Sequence, residues 1–331
     1  MRLEAKINAG HVRVRPARLI ATLLALLPVL MLAWVVFSLV GTALQGVRQW
    51  GLAAFFSTRI SNESSVYYVP GQVGLLPAAW GTLMVAVLTM ATAIPVSLAM
   101  AVFASEFSLG GVGRAMEAVL ALFAGIPAVL YALLSIFVAR SFIQPMFAGA
   151  GLSVDEIKSL PGLPPYNPFM LPWTQCVLLG AILISLLVIP FVAPLMLDAI
   201  RNVPAGQREA SLALGATRWH TLRRVTLPMA LPGISTAASL GLLKAIGDVI
   251  ISIWTIGQIH DGMPAPLWDV FERVAPLTAT GAGFMGGITG QGTPQPNPAA
   301  YFAGLLLLVI AVAVLCLANT LQWYLRRRLS L

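Results

Sequence analysis

The chain has 331 residues, of which 58% are hydrophobic and only 10% charged, with a formal net charge of +8; its mean hydropathy is +0.87. A soluble domain carries about 25% charged and about 45–50% apolar residues, so this is not a soluble enzyme built round one core. The charges are also bunched: Arg18 to Arg48, Glu117 to Arg140, Lys158 to Asp198 and Arg273 to Arg326 each bracket a stretch without Asp, Glu, Lys or Arg, long enough for the roughly 20 apolar residues that cross a hydrocarbon layer.

In chain order the pattern predicts six helices, at about 19–43, 78–104, 115–139, 172–200, 229–254 and 300–323, the signature of an all-α polytopic membrane protein. A basic segment, 1–18, precedes the first span; 19–74 hold that span and an outer loop; 75–325 hold the other five spans; and 326–331 close the chain. The first apolar run, about 25 residues, exceeds the roughly 7–15 of a signal-peptide core, which favours a retained helix. Before the fourth span, Pro161 to Pro168 is too rich in proline for helix. The stretch 273–300 carries Gly281, Gly283, Gly286, Gly287, Gly290 and Gly292, then Pro294, Pro296 and Pro298, and reads as loop. Cys176 and Cys316 sit in apolar spans without pairing or metal-ligand spacing and read as packing residues.

Lysine and arginine set the side of each loop. Six spans put both ends of the chain on one side. That side holds Arg2, Lys6, Arg13, Arg15, Arg18, Arg114, Arg201, Arg208, Arg218, Arg223, Arg224, Arg326, Arg327 and Arg328. The opposite loops hold only Arg48, Arg59, Arg140, Lys158 and Arg273, and Lys244 lies inside a span. Both termini are therefore expected in the cytoplasm. Basic loops against the anionic lipid of the inner leaflet account for the net charge, with no nucleic acid partner.

The loop 201–228 carries the most information. It begins with a turn at Pro204-Ala205-Gly206 and continues in a short helix with Ala210, Leu212, Ala213 and Leu214 on its apolar side, which Gly215 ends. A second stretch sets Trp219, Leu222 and Val225 against Arg218, Arg223 and Arg224 and returns to the membrane at Pro228. By periodicity alone such a segment suits either anchorage among lipid headgroups or a lever for a cytoplasmic partner.

The spacing separates these. Glu209-Ala210-Ser211, Gly215, Val225 and Leu227-Pro228 reproduce the intervals of the EAA motif (Glu-Ala-Ala, three residues, Gly, nine residues, Ile, one residue, Leu-Pro), with Ser211 for the second alanine and Val225 for the isoleucine. The loop therefore resembles that of ABC importer permeases. The resemblance implies that 209–215 forms a coupling helix seated in a cleft of a cytoplasmic ATPase, with Glu209, Ala210, Ser211, Gly215, Leu227 and Pro228 as coupling residues. The lysines Lys6, Lys158 and Lys244 follow no Gly-x-x-x-x-Gly loop. ATP and Mg are accordingly expected on a separate subunit, and this chain is expected to be a transport subunit without a cofactor rather than an enzyme.

Two further segments bear on the substrate. Ala124-Gly125-Ile126-Pro127-Ala128-Val129-Leu130-Tyr131-Ala132-Leu133 is similar to a stretch of phosphate-specific transport permeases. On its own, Gly125 with Pro127 is a helix break, tolerated at membrane depth where backbone lines a cavity or is buried in protein, and it equally suits a packing kink. In the fifth span, Lys244-Ala245-Ile246-Gly247-Asp248 holds both charges found in the middle of a span. Ionisable groups there cost of the order of a few kcal/mol and mark a path or site, while a spacing of four also suits an internal ion pair. Phosphate permeases show Arg-x-x-Gly-Glu at this place. Lysine is a point charge without the arginine fork, which keeps a permease for sulfate, molybdate or tungstate as an alternative to phosphate.

The resemblance covers roughly 75–255, and 199–234 lean toward the A-type of the two phosphate permease subunits. It implies a bacterial inner-membrane importer in which this chain pairs with a second related permease, two cytoplasmic ATPases bind below, and a periplasmic binding protein docks on the outer loops 141–171 and 257–298. Alternating access would then proceed round a path marked by Lys244, Gly247, Asp248, Gly125 and Pro127. A gradient-driven carrier or channel leaves the motif spacing unexplained. A membrane-embedded enzyme lacks a constellation: His11, His220 and His260 lie in different segments, without paired carboxylates inside the spans.

Overall fold

The computed structural model describes residues 2–58, 74–108, 111–138, 175–258, 262–285 and 297–328. Every element among them is helical. The outer loop 141–171 with its proline-rich run, Lys158, His260, and the glycines and prolines between 286 and 296 lie outside the described residues.

The helices are α1 (Arg2–Trp50), α2 (Leu52–Phe55), α3 (Leu76–Val102), α4 (Val112–Ala124), α5 (Ala128–Val138), α6 (Val177–Arg201), α7 (Ala205–Ala213), α8 (Arg218–Thr221), α9 (Leu227–Ile246), α10 (Ile250–Thr255), α11 (Leu277–Phe284) and α12 (Pro298–Arg328). Wide π turns prolong α3 (Phe103–Phe107) and lead from α8 into α9 (Leu222–Thr226). Five stretches are long and apolar enough to cross a membrane: Ile20–Trp50, Leu76–Phe107, Val177–Arg201, Arg218–Ile246 and Pro298–Tyr324. α4 and α5 as far as Leu134 are long and apolar enough only when taken together, and they are bent by 90° between them, as in a broken span or a re-entrant loop.

α6 is the centre of the packing. Leu183, Ile184, Val188, Met196 and Ile200 on it are fully or almost fully buried, against α3 and α9 on its flanks and α4, α5 and α10 beyond. The contact with α9 depends on a close approach: a Cβ added at Gly241 would stand 2.5 Å from Val192 Cγ2, the small-residue device by which membrane helices gain van der Waals contact. A second cluster joins α1, α2, α11 and α12 through Ala43, Phe55, Leu277 and Phe302. The rings of Phe55 and Phe302 stack there at 4.2 Å.

Three expectations are corrected and one, the break at Gly125–Pro127, is met. α1 runs well beyond 19–43 at both ends. The span 115–139 is not one rod: Pro127 has no N–H to give and forces Ile126 out of the helical region. The free carbonyls of α4 are met instead by Gly125 N on Ala121 O (3.2 Å) and by Tyr131 Oη on Phe123 O (3.0 Å). The span 229–254 breaks after Ile246 and restarts as α10. Within 273–300, 277–284 are helical despite two glycines, because Leu277 N donates to Thr82 Oγ1 of α3 (2.9 Å) and Leu277, Thr278, Ala279 and Thr280 are buried.

Candidate functional site

The loop 201–228 begins where α6 ends. α7 starts directly after Pro204 and stops at Ala213. Its last turn closes in a Schellman motif: Ala216 N donates to Ser211 O (3.2 Å) and Gly215 N to Leu212 O (2.9 Å). Gly215 carries φ +83°, a left-handed conformation that costs a residue with a Cβ about 1–2 kcal/mol. Thr217 then caps the next helix, its Oγ1 accepting from His220 N (3.2 Å). Leu227 N reaches back to Leu222 O, a wide turn that suits Pro228, which has no N–H to continue the ladder.

No residue of α7 is buried. Leu214 is 89% exposed at the tip, with Leu212 and Trp219 also exposed. Apolar side chains exposed together in this way mark a surface suited to contact with a partner, and Arg218, Arg223 and Arg224 follow in the same loop.

Two side chains tie α7 down. Ser211 Oγ and Thr221 Oγ1 lie 2.9 Å apart, joining α7 to α8. Arg208 Nη1 donates to Glu106 Oε1 at 2.8 Å, in the π turn that ends α3, and Arg208 Nη2 donates to the Ile200 carbonyl in the last turn of α6. Both members of the pair are mostly covered, at 22% and 17% side-chain exposure. The other ion pair on this side, Arg201 with Glu117 at 2.6 Å, is open to solvent at 47% and 35%.

At the other end of α9, about 25 Å away along the helix, Lys244 and Asp248 do not sit on one helix face. Gly247 ends α9, its N–H donating to Leu243 O (3.0 Å). Asp248 turns forward into α10: Oδ2 accepts from Ile251 N (2.9 Å) and Ser252 N (3.2 Å). Its carbonyl is held by Ser252 Oγ (2.9 Å) and Thr278 Oγ1 (3.0 Å). Lys244 Nζ lies over the Phe191 ring of α6, 5.1 Å from the centroid, and no ion pair joins it to Asp248 within 4.0 Å among the described residues. α5 and α10, the helices that follow the two breaks, pack on each other, so the segments round Gly125–Pro127 and Gly247–Asp248 belong to one region.

The structure therefore groups Glu209, Ala210, Ser211 and Gly215 in the loop, with Leu227 and Pro228 where it re-enters the bundle, and sets Gly125, Pro127, Lys244, Gly247 and Asp248 apart from them. Sequence reasoning missed the residues that hold both groups: Glu106 and Thr221 for the loop, Phe191, Ser252 and Thr278 for the break. Asp248 carried a local signal, an acid at the start of an apolar helix. The Glu106–Arg208 pair, 102 residues apart, carried none.

Residues 93–331 match the family described as Binding-protein-dependent transport system inner membrane component. Over 303 residues the chain is 27% identical to the Phosphate transport system permease protein PstC of Haemophilus influenzae, covering 90% of this chain and 89% of that one. Over 250 residues it is 30% identical to the Probable ABC transporter permease protein YqgH of Bacillus subtilis, covering 75% and 72%. A solved bacterial ABC transporter involved in import of the acidic polysaccharide alginate shares 18% identity and a TM-score of 0.56, covering 90% of this chain and 95% of that chain, a likeness of fold alone. The Haemophilus relative carries the C-type name, against the expectation of the A type drawn from residues 199–234.

Proposed function

The chain belongs to the inner membrane components of binding-protein-dependent transport systems, and from that premise we propose that it is the permease subunit of an ATP-driven importer of inorganic phosphate. The observation that carries the choice of substrate is the likeness to a phosphate transport permease along 90% of the chain. The same likeness supports the C-type subunit over the A-type. Both termini face the cytoplasm in this proposal, as the distribution of arginine and lysine requires.

α7 is the contact with the ATPase. Glu209 and the apolar tip at Leu212 and Leu214 enter the partner, Gly215 fixes the turn, and Leu227-Pro228 passes the movement into α9. ATP and Mg belong to that partner, with two ATPases below, a second related permease alongside and a periplasmic binding protein above. Lys244, held half-buried over Phe191, attracts the anion in passing. Asp248 is occupied with capping α10, which leaves Lys244 as the positive charge of the path. A second oxyanion, sulfate, molybdate or tungstate, is the rival substrate, favoured by Lys244 and Asp248 standing where phosphate permeases show Arg and Glu.

The test is uptake of phosphate, sulfate, molybdate and tungstate by proteoliposomes holding the complete complex. Phosphate is expected to be preferred at least tenfold, and preference for another oxyanion overturns the substrate. Glu209→Ala and Gly215→Pro are expected to uncouple ATP hydrolysis from uptake while the chain still inserts. Normal transport by Gly215→Pro overturns the role of α7.

A further inference from the structure

We infer that the Glu106–Arg208 ion pair is the positioning contact that carries movement of α7 into α3 and α6. The inference deepens the proposed function, because it rests on α7 meeting an ATPase. α7 has no buried residue of its own and packs on α8 and the π turn that follows it, within the same loop, so a direct link to α3 and α6 depends on polar contacts. Among the described residues, the side-chain hydrogen bonds that leave α7 come from Arg208 and Ser211. Ser211 reaches only α8, the next segment of the same loop. Arg208 alone reaches the long helices, gripping a carboxylate at the inner end of α3 and a carbonyl at the inner end of α6.

The fork suits this task. A guanidinium with two N–H groups engaged on different helices fixes direction as well as distance, and partial burial spares the pair much of the screening that weakens an open one. α3 then spans about 40 Å to the outer side, where Thr82 Oγ1 holds the start of α11 and Trp80 Nε1 donates to Leu267 O (2.8 Å). Displacement at Glu106 thus reaches the outer segments through one helix.

The junction is also incompletely satisfied. Among the described residues, three buried side-chain polar atoms have no partner, and two of them, Arg208 Nε and Thr226 Oγ1, lie on Arg208 itself and in the π turn that enters α9. Glu106 sits in the other π turn. Such turns recur at functional sites, and the unengaged Arg208 Nε–H leaves the guanidinium a further donor for another acceptor as the loop shifts.

The test uses the full complex with its ATPase and binding protein. Arg208→Ala and Glu106→Gln are each expected to lower the phosphate moved per ATP hydrolysed about tenfold. The double variant is expected to fall no further, since both changes remove one contact. Glu106→Gln lies off α7 and decides the matter if Arg208→Ala does not assemble. A second measurement needs no substrate: spin labels at Gln207→Cys and Val87→Cys, with Cys176 and Cys316 replaced by Ser, report the α7–α3 distance. The distribution is expected to be narrow in the parent and at least twice as wide in either variant. A ratio within twofold of the parent in both variants, a roughly hundredfold loss in the double variant, or unchanged label widths overturns the inference. Failure of the phosphate proposal leaves the label widths readable, and failure of the α7–ATPase contact shows instead as normal transport by Gly215→Pro.

Discussion

At the N-terminal end of α9 the loop round Gly215 leaves α7 without a buried residue, whereas at its C-terminal end the break after Gly247 buries Asp248, whose carbonyl accepts from Ser252 and Thr278. Both turns use glycine, in opposite ways. Gly215 has φ +83° and lets backbone N–H groups satisfy the end of α7, so that Glu209, Leu212 and Leu214 remain unengaged. Gly247 has an ordinary φ of −83°, and the restart at α10 is satisfied by the Asp248 carboxylate. The first turn leaves its side chains exposed; in the second the Asp248 carboxylate is engaged by the N–H groups of Ile251 and Ser252.

The comparison can be broken most directly at Asp248. Asp248→Ala removes a buried cap and leaves two N–H groups unmet, and it is expected to cost about 2 kcal/mol, read as a lowered Tm of the purified chain. Asp248→Asn keeps an acceptor in place and is expected to cost well under half of that with uptake retained. If the Asn variant loses uptake as completely as an uncoupled complex, the charge acts beyond its cap and the contrast fails.

Gly215→Ala sharpens the other side. Nothing stands within 4 Å of the added Cβ, so the strain of the left-handed turn is the whole effect, about 1 kcal/mol. It is expected as roughly fivefold faster amide exchange across 205–221 with the Tm unchanged. The smallest effect is expected for Ser211→Ala, where one partly exposed hydroxyl pair is lost: about 0.5 kcal/mol in the same exchange measurement. An effect larger than that of Gly215→Ala would mean that the loop is held by side chains after all.

These differences also explain what could be read from the sequence. Six spans were legible because the charges that interrupt them are few, and the loop because its motif fixes intervals along one continuous segment. The bend at Gly125–Pro127 was legible as a break because proline acts locally, although its angle depends on α5 finding α6 and α10. The break at Gly247 was not, because φ −83° is open to any residue and the capping of α10 depends on Asp248 turning toward Ile251 and Ser252. α11 was hidden by Gly281 and Gly283, whose cost in a helix is outweighed here by burial of Leu277 to Thr280. Arg208 looked like one orientation charge among many, since its partner Glu106 comes from a distant segment.

The right-angled third span constrains how the chain is built into a bilayer. α4 is about 20 Å long and α5 about 16 Å, so neither crosses a hydrocarbon layer of about 30 Å. During synthesis the apolar stretch 115–139 leaves the ribosome before either α6 or α10 exists. Lipid offers no hydrogen bonds, but the backbone at the bend is met from within: Gly125 N donates to Leu122 O, Ile126 N to Phe123 O and Leu130 N to Pro127 O. The bend therefore needs no later helix to satisfy its backbone; α6 and α10 supply the surfaces on which α5 packs.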